Sequence, residues 1–221
     1  PPVPAAAAPP ACVPRRIVQY WEGEDIPEDV ARASRRLAEA NPWAASRLYD
    51  RASARTYLSE RAGPDARRAF RLARHVATRA DLFRLAVLSL EGGVYVDIDD
   101  LCRGSLAELL PERARFVAML EPMGMVGNNF LAATPHHPVI ERALAEATAC
   151  MLGGAVESIL LRTGPGAVTR ALAQEIAGHG GEMPEGCHVL MPGRVWQRLA
   201  VGRPMSYNNL LAADPAWWTD D

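Results

Sequence analysis

The strongest constraint on the fold is an alternation of pattern along the chain. Short runs of residues suited to extended backbone, "RRIVQYW", "AASRLYD", "GGVYVDID", "RFVAML" and "CHVLMP", are separated by stretches with helical spacing. Strands that alternate with helices build an α/β fold, a mostly parallel sheet flanked by helices. The first helix is expected over "IPEDVARASRRLAEANP", with Pro27 near its start, acids in its first turn and a stop at Asn41 and Pro42. From Ser53 to Leu90 the spacing is helical and broken at "AGPD", with arginines on the wet face and Phe70, Leu72, Val76, Leu82, Phe83, Leu85 and Leu88 available for a core. Gly92 and Gly93 end that helix. "HPVIERALAEATACML" and "GPGAVTRALAQEIAG" are further helices, the second with Pro165 near its start. The Pro/Ala tract over residues 1–13 reads as a linker or tail, and residues 14–221 as a single domain.

The strand "GGVYVDID" ends where it becomes acidic: Asp97, Asp99 and Asp100 occupy three of four positions. Like charges crowded at a strand end must repel, and a cation between them removes the conflict. Ligands of open α/β sheets sit at the carboxyl ends of strands. On an extended segment, residues two apart point to the same side, so Asp97 and Asp99 are expected to converge on one object. Mg²⁺ and Mn²⁺ take carboxylates together with substrate phosphates. The plainer reading is a polar loop, since aspartate is common in turns.

Composition removes several classes. A net charge of −2 over 221 residues argues against a nucleic-acid partner, and no apolar run approaches the ~20 residues a transmembrane helix needs. Cys12, Cys102, Cys150 and Cys187 are scattered without CxxC spacing and read as free thiols. All 24 basic residues are arginine. GC-rich codon usage accounts for this, as does selection against ubiquitination of a bacterial effector inside a host cell; in either case Schiff-base chemistry is excluded. A chain opening on Pro1 with no signal peptide is expected to be a monomeric domain of a longer protein, in the bacterial cytoplasm or secreted into a host cell.

Two chemistries use an apolar strand ending in DxD. Phosphatases of the haloacid-dehalogenase type need a Thr or Val where this chain has Leu101, and a lysine that it lacks. The alternative is sugar transfer. The stretch "TRADLFRLAVLSLEGGVYVDIDDLCRGSLAELLP" resembles the signature of DxD-containing glycosyltransferases, the group of the yeast initiating mannosyltransferase, bacterial capsular sugar transferases and the glucosyltransferase domains of large clostridial toxins. "VPRRIVQYWEGEDIP", "NPWAASRLYD", "NNFLAATPHHPVI" and "TGPGAVTRAL" resemble that family's other blocks, in its order, over about Val13 to Ala173.

The resemblance implies a GT-A fold and a metal-dependent, retaining transfer of a hexose or N-acetylhexosamine from a nucleotide-sugar, a UDP-sugar in the first instance, to a protein or glycan acceptor. It also implies the roles. Trp21 or Tyr20 stacks on the base; Asp81 and Arg84, three apart on one helical face, contact the donor sugar, and Arg84 reaches the phosphates. Tyr95 and Asp97 hold ribose and sugar, Asp99 ligates Mn²⁺ or Mg²⁺ with Asp97, and Asn128 and Asn129 either bind donor or form a turn. Gly164 and Pro165 offer a helix start to an anion. At the C-terminus the family's His-rich turn is replaced by "SYNNLLAADPAWWTDD", so Asn209, or one of Asp220 and Asp221, is the expected last metal ligand, and Trp217 or Trp218 a lid. A host-modifying toxin or effector, a cell-envelope polysaccharide enzyme and a retired nucleotide-sugar-binding module are the biological readings.

Overall fold

The computed structural model describes residues 12–154, 158–202 and 204–213. In chain order the elements are β1 (Arg16–Tyr20), α1 (Glu28–Ala40), β2 (Ala45–Tyr49), α2 (Arg51–Arg61), α3 (Pro64–Leu72), α4 (Val76–Glu91), β3 (Gly93–Val96), β4 (Asp100–Cys102), β5 (Phe116–Leu120), β6 (Val126–Ala133), α5 (Pro138–Gly153), α6 (Ile159–Arg162), α7 (Pro165–Gly178), β7 (Cys187–Leu190), α8 (Pro192–Val195), β8 (Leu199–Val201) and α9 (Met205–Ala213). All the strands and helices expected from the sequence form, but Leu72, expected in the core, is half exposed because it is the last residue of α3. The linker at residues 1–13 lies almost wholly outside the described residues.

Six strands make one sheet in the order β2-β1-β3-β6-β5-β7. β1 pairs parallel with β2 and β3, and β5 with β7; β6 alone runs against its neighbours β3 and β5. β4 and β8 form a separate two-stranded ribbon. The sheet is therefore mostly parallel, with its one reversed strand in the middle.

Alternation along each strand divides the core. Val18 and Tyr20, Tyr95, and Leu131 and Ala133 face the layer made by α2, α3, α4, α5 and α7. Ile17, Val94, Val96, Phe130 and Ala132 face the opposite layer, with Leu37 of α1, Val195 of α8 and Leu199 of β8. α4 is the central helix, with apolar residues buried around most of its circumference. Its end is fixed by Gly92, at φ +63°, where an added Cβ would fall 2.7 Å from the Pro135 nitrogen. A side chain there is excluded by both sterics and backbone.

Local signals set the other ends. Asp50 and Ser53 bond reciprocally across the first turn of α2. Asn41, fully buried, accepts from the Trp43 indole and the Leu106 amide and donates to the Leu37 carbonyl. The helical stretch between Ser53 and Leu90 is broken twice, at Gly63 as expected and again before α4, where His75 caps the helix by accepting from the Ala77 amide.

Candidate active site

A cavity of about 520 Å³ opens at the carboxyl ends of β1 and β3. That is the place an α/β sheet offers a ligand, and the volume lies within the range of small-molecule sites. Tyr20, Trp21 and Glu22 from the end of β1 and Asp97, Ile98 and Asp99 from the end of β3 line it. So do the first turns of α4 and α7, with Val76, Ala77, Gly164 and Pro165. Two helices of 16 and 14 residues thus present N-termini to one cavity, where unpaired amides and helix dipoles favour an anion.

The acidic segment is not extended. The Asp100 amide donates to the Asp97 carbonyl at 3.2 Å, closing a turn between β3 and β4. The two-residue alternation expected for Asp97 and Asp99 therefore does not apply; the turn itself brings both to the cavity. The Arg84 guanidinium holds the turn from beneath. Its Nη2 donates to Asp97 Oδ1 at 2.8 Å, its Nη1 to the Asn128 carbonyl at 2.5 Å, and its Cζ lies 4.7 Å from the Tyr95 ring centroid. Asp81 lies 3.5 Å from the same Nη2, accepts from the Asn128 amide at 2.8 Å, and accepts from the Thr163 hydroxyl at 2.9 Å. Thr163 directly precedes Gly164, so Asp81 ties the start of α7 to α4.

The electrostatics are unbalanced in one direction. Burial pushes Asp97 well above the usual carboxylate range; Arg84 opposes this, while Asp99, Asp100 and Asp81 add to it. Asp100 is pushed up to about 7, by burial first and then by Asp99. Burial also raises Asp81, against the pull of Arg84. Burial disfavours the charge on Arg84 as well, yet Asp97 and its neighbours hold it protonated. One guanidinium faces four carboxylates, a surplus of negative charge at the cavity rim.

The structure distributes the expected residues unevenly. Tyr20, Trp21, Asp81, Arg84, Asp97, Asp99, Asn128, Gly164 and Pro165 all line the cavity. Tyr20 and Trp21 are also core: the Tyr20 hydroxyl donates to Glu22 at 2.5 Å, and the Trp21 indole donates to the Asp25 carbonyl while its ring packs with Val30 and Ile98. Tyr95 does not line it. It is fully buried on the α4 face of β3, where it underlies Arg84. Asn129 also stands apart, donating to Asp100 at 2.7 Å, and neither it nor Asn128 is in a turn, since both lie on β6. Asn209 is exposed on α9 and does not line the cavity; Tyr207, on the same helix, does. Trp217, Trp218, Asp220 and Asp221 lie outside the described residues.

Sequence reasoning missed Glu22, His75, Thr163 and Tyr207. For Thr163 a signal existed, the threonine immediately before the Gly-Pro that opens α7. For the others none did.

Residues 27–116 match a family model described as glycosyltransferase sugar-binding region containing DXD motif. Over those residues, which carry Asp81, Arg84, Asp97 and Asp99, this chain is similar to that family, as its sequence motifs indicate. Among curated relatives, mannosyl phosphorylinositol ceramide synthase SUR1 of Saccharomyces cerevisiae is 32% identical over 141 residues, which are 64% of this chain and 36% of that protein. Toxin Afp18 of Yersinia ruckeri is 35% identical over 114 residues, 46% of this chain and 5% of the toxin. The chain thus spans about a third, or far less, of these relatives.

Among solved structures, the PaToxG glycosyltransferase superposes with a TM-score of 0.65 at 24% identity, over 77% of this chain and 72% of that one. The ligand-free glycosyltransferase domain of the YGT toxin does so with a TM-score of 0.56 at 8% identity, over 88% and 82%. The fold they share with this chain is the expected GT-A fold.

Proposed function

We propose that the domain transfers a hexose or N-acetylhexosamine from a UDP-sugar, with retention and with a divalent cation, and that its acceptor belongs to a host cell. The observation that carries this reading is the DxD turn, pinned by Arg84 at the rim of a cavity that two helix N-termini also face. The toxin glycosyltransferases among its relatives and the absence of lysine support the host-directed role.

The donor set fits Mn²⁺ or Mg²⁺. Asp99 and Asp97 offer hard oxygen atoms at the cavity, and the charge surplus around them is the kind a divalent cation relieves. Among the described residues no three His, Cys, Asp or Glu side chains converge into a closed metal site, and the diphosphate of the donor would offer the cation further oxygen ligands. When bound, the cation offsets the charge that grows on the departing diphosphate.

The chain's own residues supply position and field. Arg84 orients Asp97 and opposes the rise that burial imposes on its pKa, the amides of α4 and α7 favour the anionic part of the donor, and Trp21 walls the side on which a base would stack. The transfer would then be a displacement on one face of the sugar, with the leaving diphosphate taking the acceptor's proton. The test is release of nucleoside diphosphate from UDP-glucose, UDP-GlcNAc, UDP-galactose and GDP-mannose, with Mn²⁺ and then with chelator. One donor should be hydrolysed, and chelator or Asp99→Asn should abolish the release while the circular dichroism spectrum stays unchanged. Full activity in Asp99→Asn would overturn the metal assignment, and no hydrolysis of any donor would favour a retired binding module.

A further inference from the structure

Outside the cleft, positive charge is concentrated in one place. Between Arg51 and Arg79 there are eight arginines against Glu60 and Asp65, a net charge of +6, while the remaining residues, with sixteen arginines and twenty-four acids, sum to −8. The structure gathers this charge into a trough. Two cavities, of about 350 and 440 Å³, lie along α2 and α3 and share Arg55, Phe70 and Arg71. Arg51 and Arg79 complete the wall of the first, with Glu24 as its one carboxylate, and Arg67 joins the second.

Not all of these guanidinium groups are free to bind. Arg79 lies 2.7 Å from Glu22 and donates to the Ala73 carbonyl at 2.6 Å, and Arg67 donates to the Ser59 carbonyl at 3.0 Å. Arg51 is 3.7 Å from Glu22. Arg55 and Arg71 are exposed, and among the described residues neither has a carboxylate partner. Like charges gathered around a concave site with an apolar floor are electrostatically costly unless an anion sits among them. Guanidinium forks from two helices match a group with several oxygens on one centre, which points to phosphate rather than to a single carboxylate. The trough also has a fixed relation to the cleft. Glu22 lines the cleft and Arg79 lines the trough, so their ion pair is the wall between the two.

We propose that the trough between α2 and α3 is a second ligand site that takes a phosphate group, and that this phosphate belongs to the acceptor. The first half stands on the trough alone; the second rests on the glycosyltransferase reading of the neighbouring cleft.

The experiment is an NMR-detected titration of the protein with inorganic phosphate and with glycerol 3-phosphate, alongside sedimentation with phosphatidylcholine vesicles with and without phosphatidic acid. Arg55→Ala/Arg71→Ala should weaken binding by about tenfold for each arginine removed. Arg32→Ala/Arg36→Ala, which removes the same charge from exposed positions on α1, should leave it unchanged. A thermal melt checks that both variants fold. Arginine-dependent binding to the phosphatidic acid vesicles alone would assign the phosphate to a lipid; binding of glycerol 3-phosphate in solution would assign it to a soluble compound. Equal losses in the two variants, or no binding of any probe by the unmodified protein, would overturn the proposal. If the arginine-dependent binding appears in a protein that releases no nucleoside diphosphate, the phosphate site stands and its assignment to an acceptor falls. Asp99→Asn should retain the binding, because it alters the cleft and not the trough.

Discussion

Replacing Arg84 by methionine removes the guanidinium that faces Asp97, Asp81 and Asp100, and strips the Asn128 carbonyl of its donor. Breaking a buried ion pair by deleting one partner costs about 3–5 kcal/mol, because the other charge stays behind. Part of that loss can be avoided by protonation, and this makes the prediction specific. The folded-state pKa of Asp97 is already raised by burial, against the pull of Arg84. Without Arg84 it rises further. A carboxylate with a raised folded pKa favours the folded state below its unfolded pKa, and that contribution is lost as pH rises through the folded value. The stability gap between Arg84→Met and the parent should therefore be smaller at pH 5 than at pH 8, opening as pH rises through the parent's own raised Asp97 value. Urea denaturation across that range, with chelator present, measures it. Asp97→Asn in the Arg84→Met background should recover much of the loss at pH 8, since the stranded charge is gone. A gap that is the same at pH 5 and pH 8, or that Asp97→Asn does not narrow, would refute the reasoning.

Other substitutions probe the rest of the site. Thr163→Val leaves Asp81 short of one hydrogen bond and should cost about 1–3 kcal/mol by chemical denaturation, with an increased donor KM as the start of α7 loosens. The Asp29 carboxylate of α1 accepts from the Ser206 amide at the start of α9, and bonds from Ser206 hold its pKa below the usual value. That contact is present above the ordinary aspartate range and is lost as pH falls through the depressed value, so Asp29→Ala should expose α9 amides to hydrogen exchange at pH 7 as acid does in the parent. Trp21→Leu should weaken UDP binding by about 5- to 150-fold in calorimetry if its ring carries a base, at about 1–3 kcal/mol for stacking. Gly92→Ala should lower the melting temperature by several degrees, since the added Cβ meets Pro135 and the backbone is left-handed there.

How much of this was legible beforehand depended on whether a residue's neighbours are local. The strands and helices were readable from runs, caps and Gly/Pro stops, and the acidic turn from its position after "GGVYV". β6 was not. "VGNNFLAA" carries two asparagines that disfavour a strand on propensity, and they are tolerated because each amide has a carboxylate waiting, Asp81 for Asn128 and Asp100 for Asn129. Those partners are 47 and 29 residues away in sequence. Tyr95 was assigned to the donor by resemblance, whereas the alternation of β3 turns it toward α4 and under Arg84. Asn209 stood near an expected position in sequence, but a helix presents its side chains by turn, and Tyr207 is the residue that faces the cavity.

β6 also breaks its own alternation. Leu131 and Ala133 face the α4 layer and Phe130 and Ala132 the other, so strict parity would send Asn129 toward α4. The pairing with β5 shifts register between Ala118 and Leu120, and Asn128 is the one that reaches Asp81. The strand therefore acts as a selector: its phase decides which acid is tied to the helix and which is held at the ribbon. The hairpin between β5 and β6 closes through bonds from the Glu121 amide to the Met125 carbonyl and from the Gly124 amide to Glu121. A residue gained or lost within the bulge, rather than in that surface turn, would exchange the two asparagines and re-sort the acids at the cleft, so a change that looks like strand length would be read out as a change of chemistry.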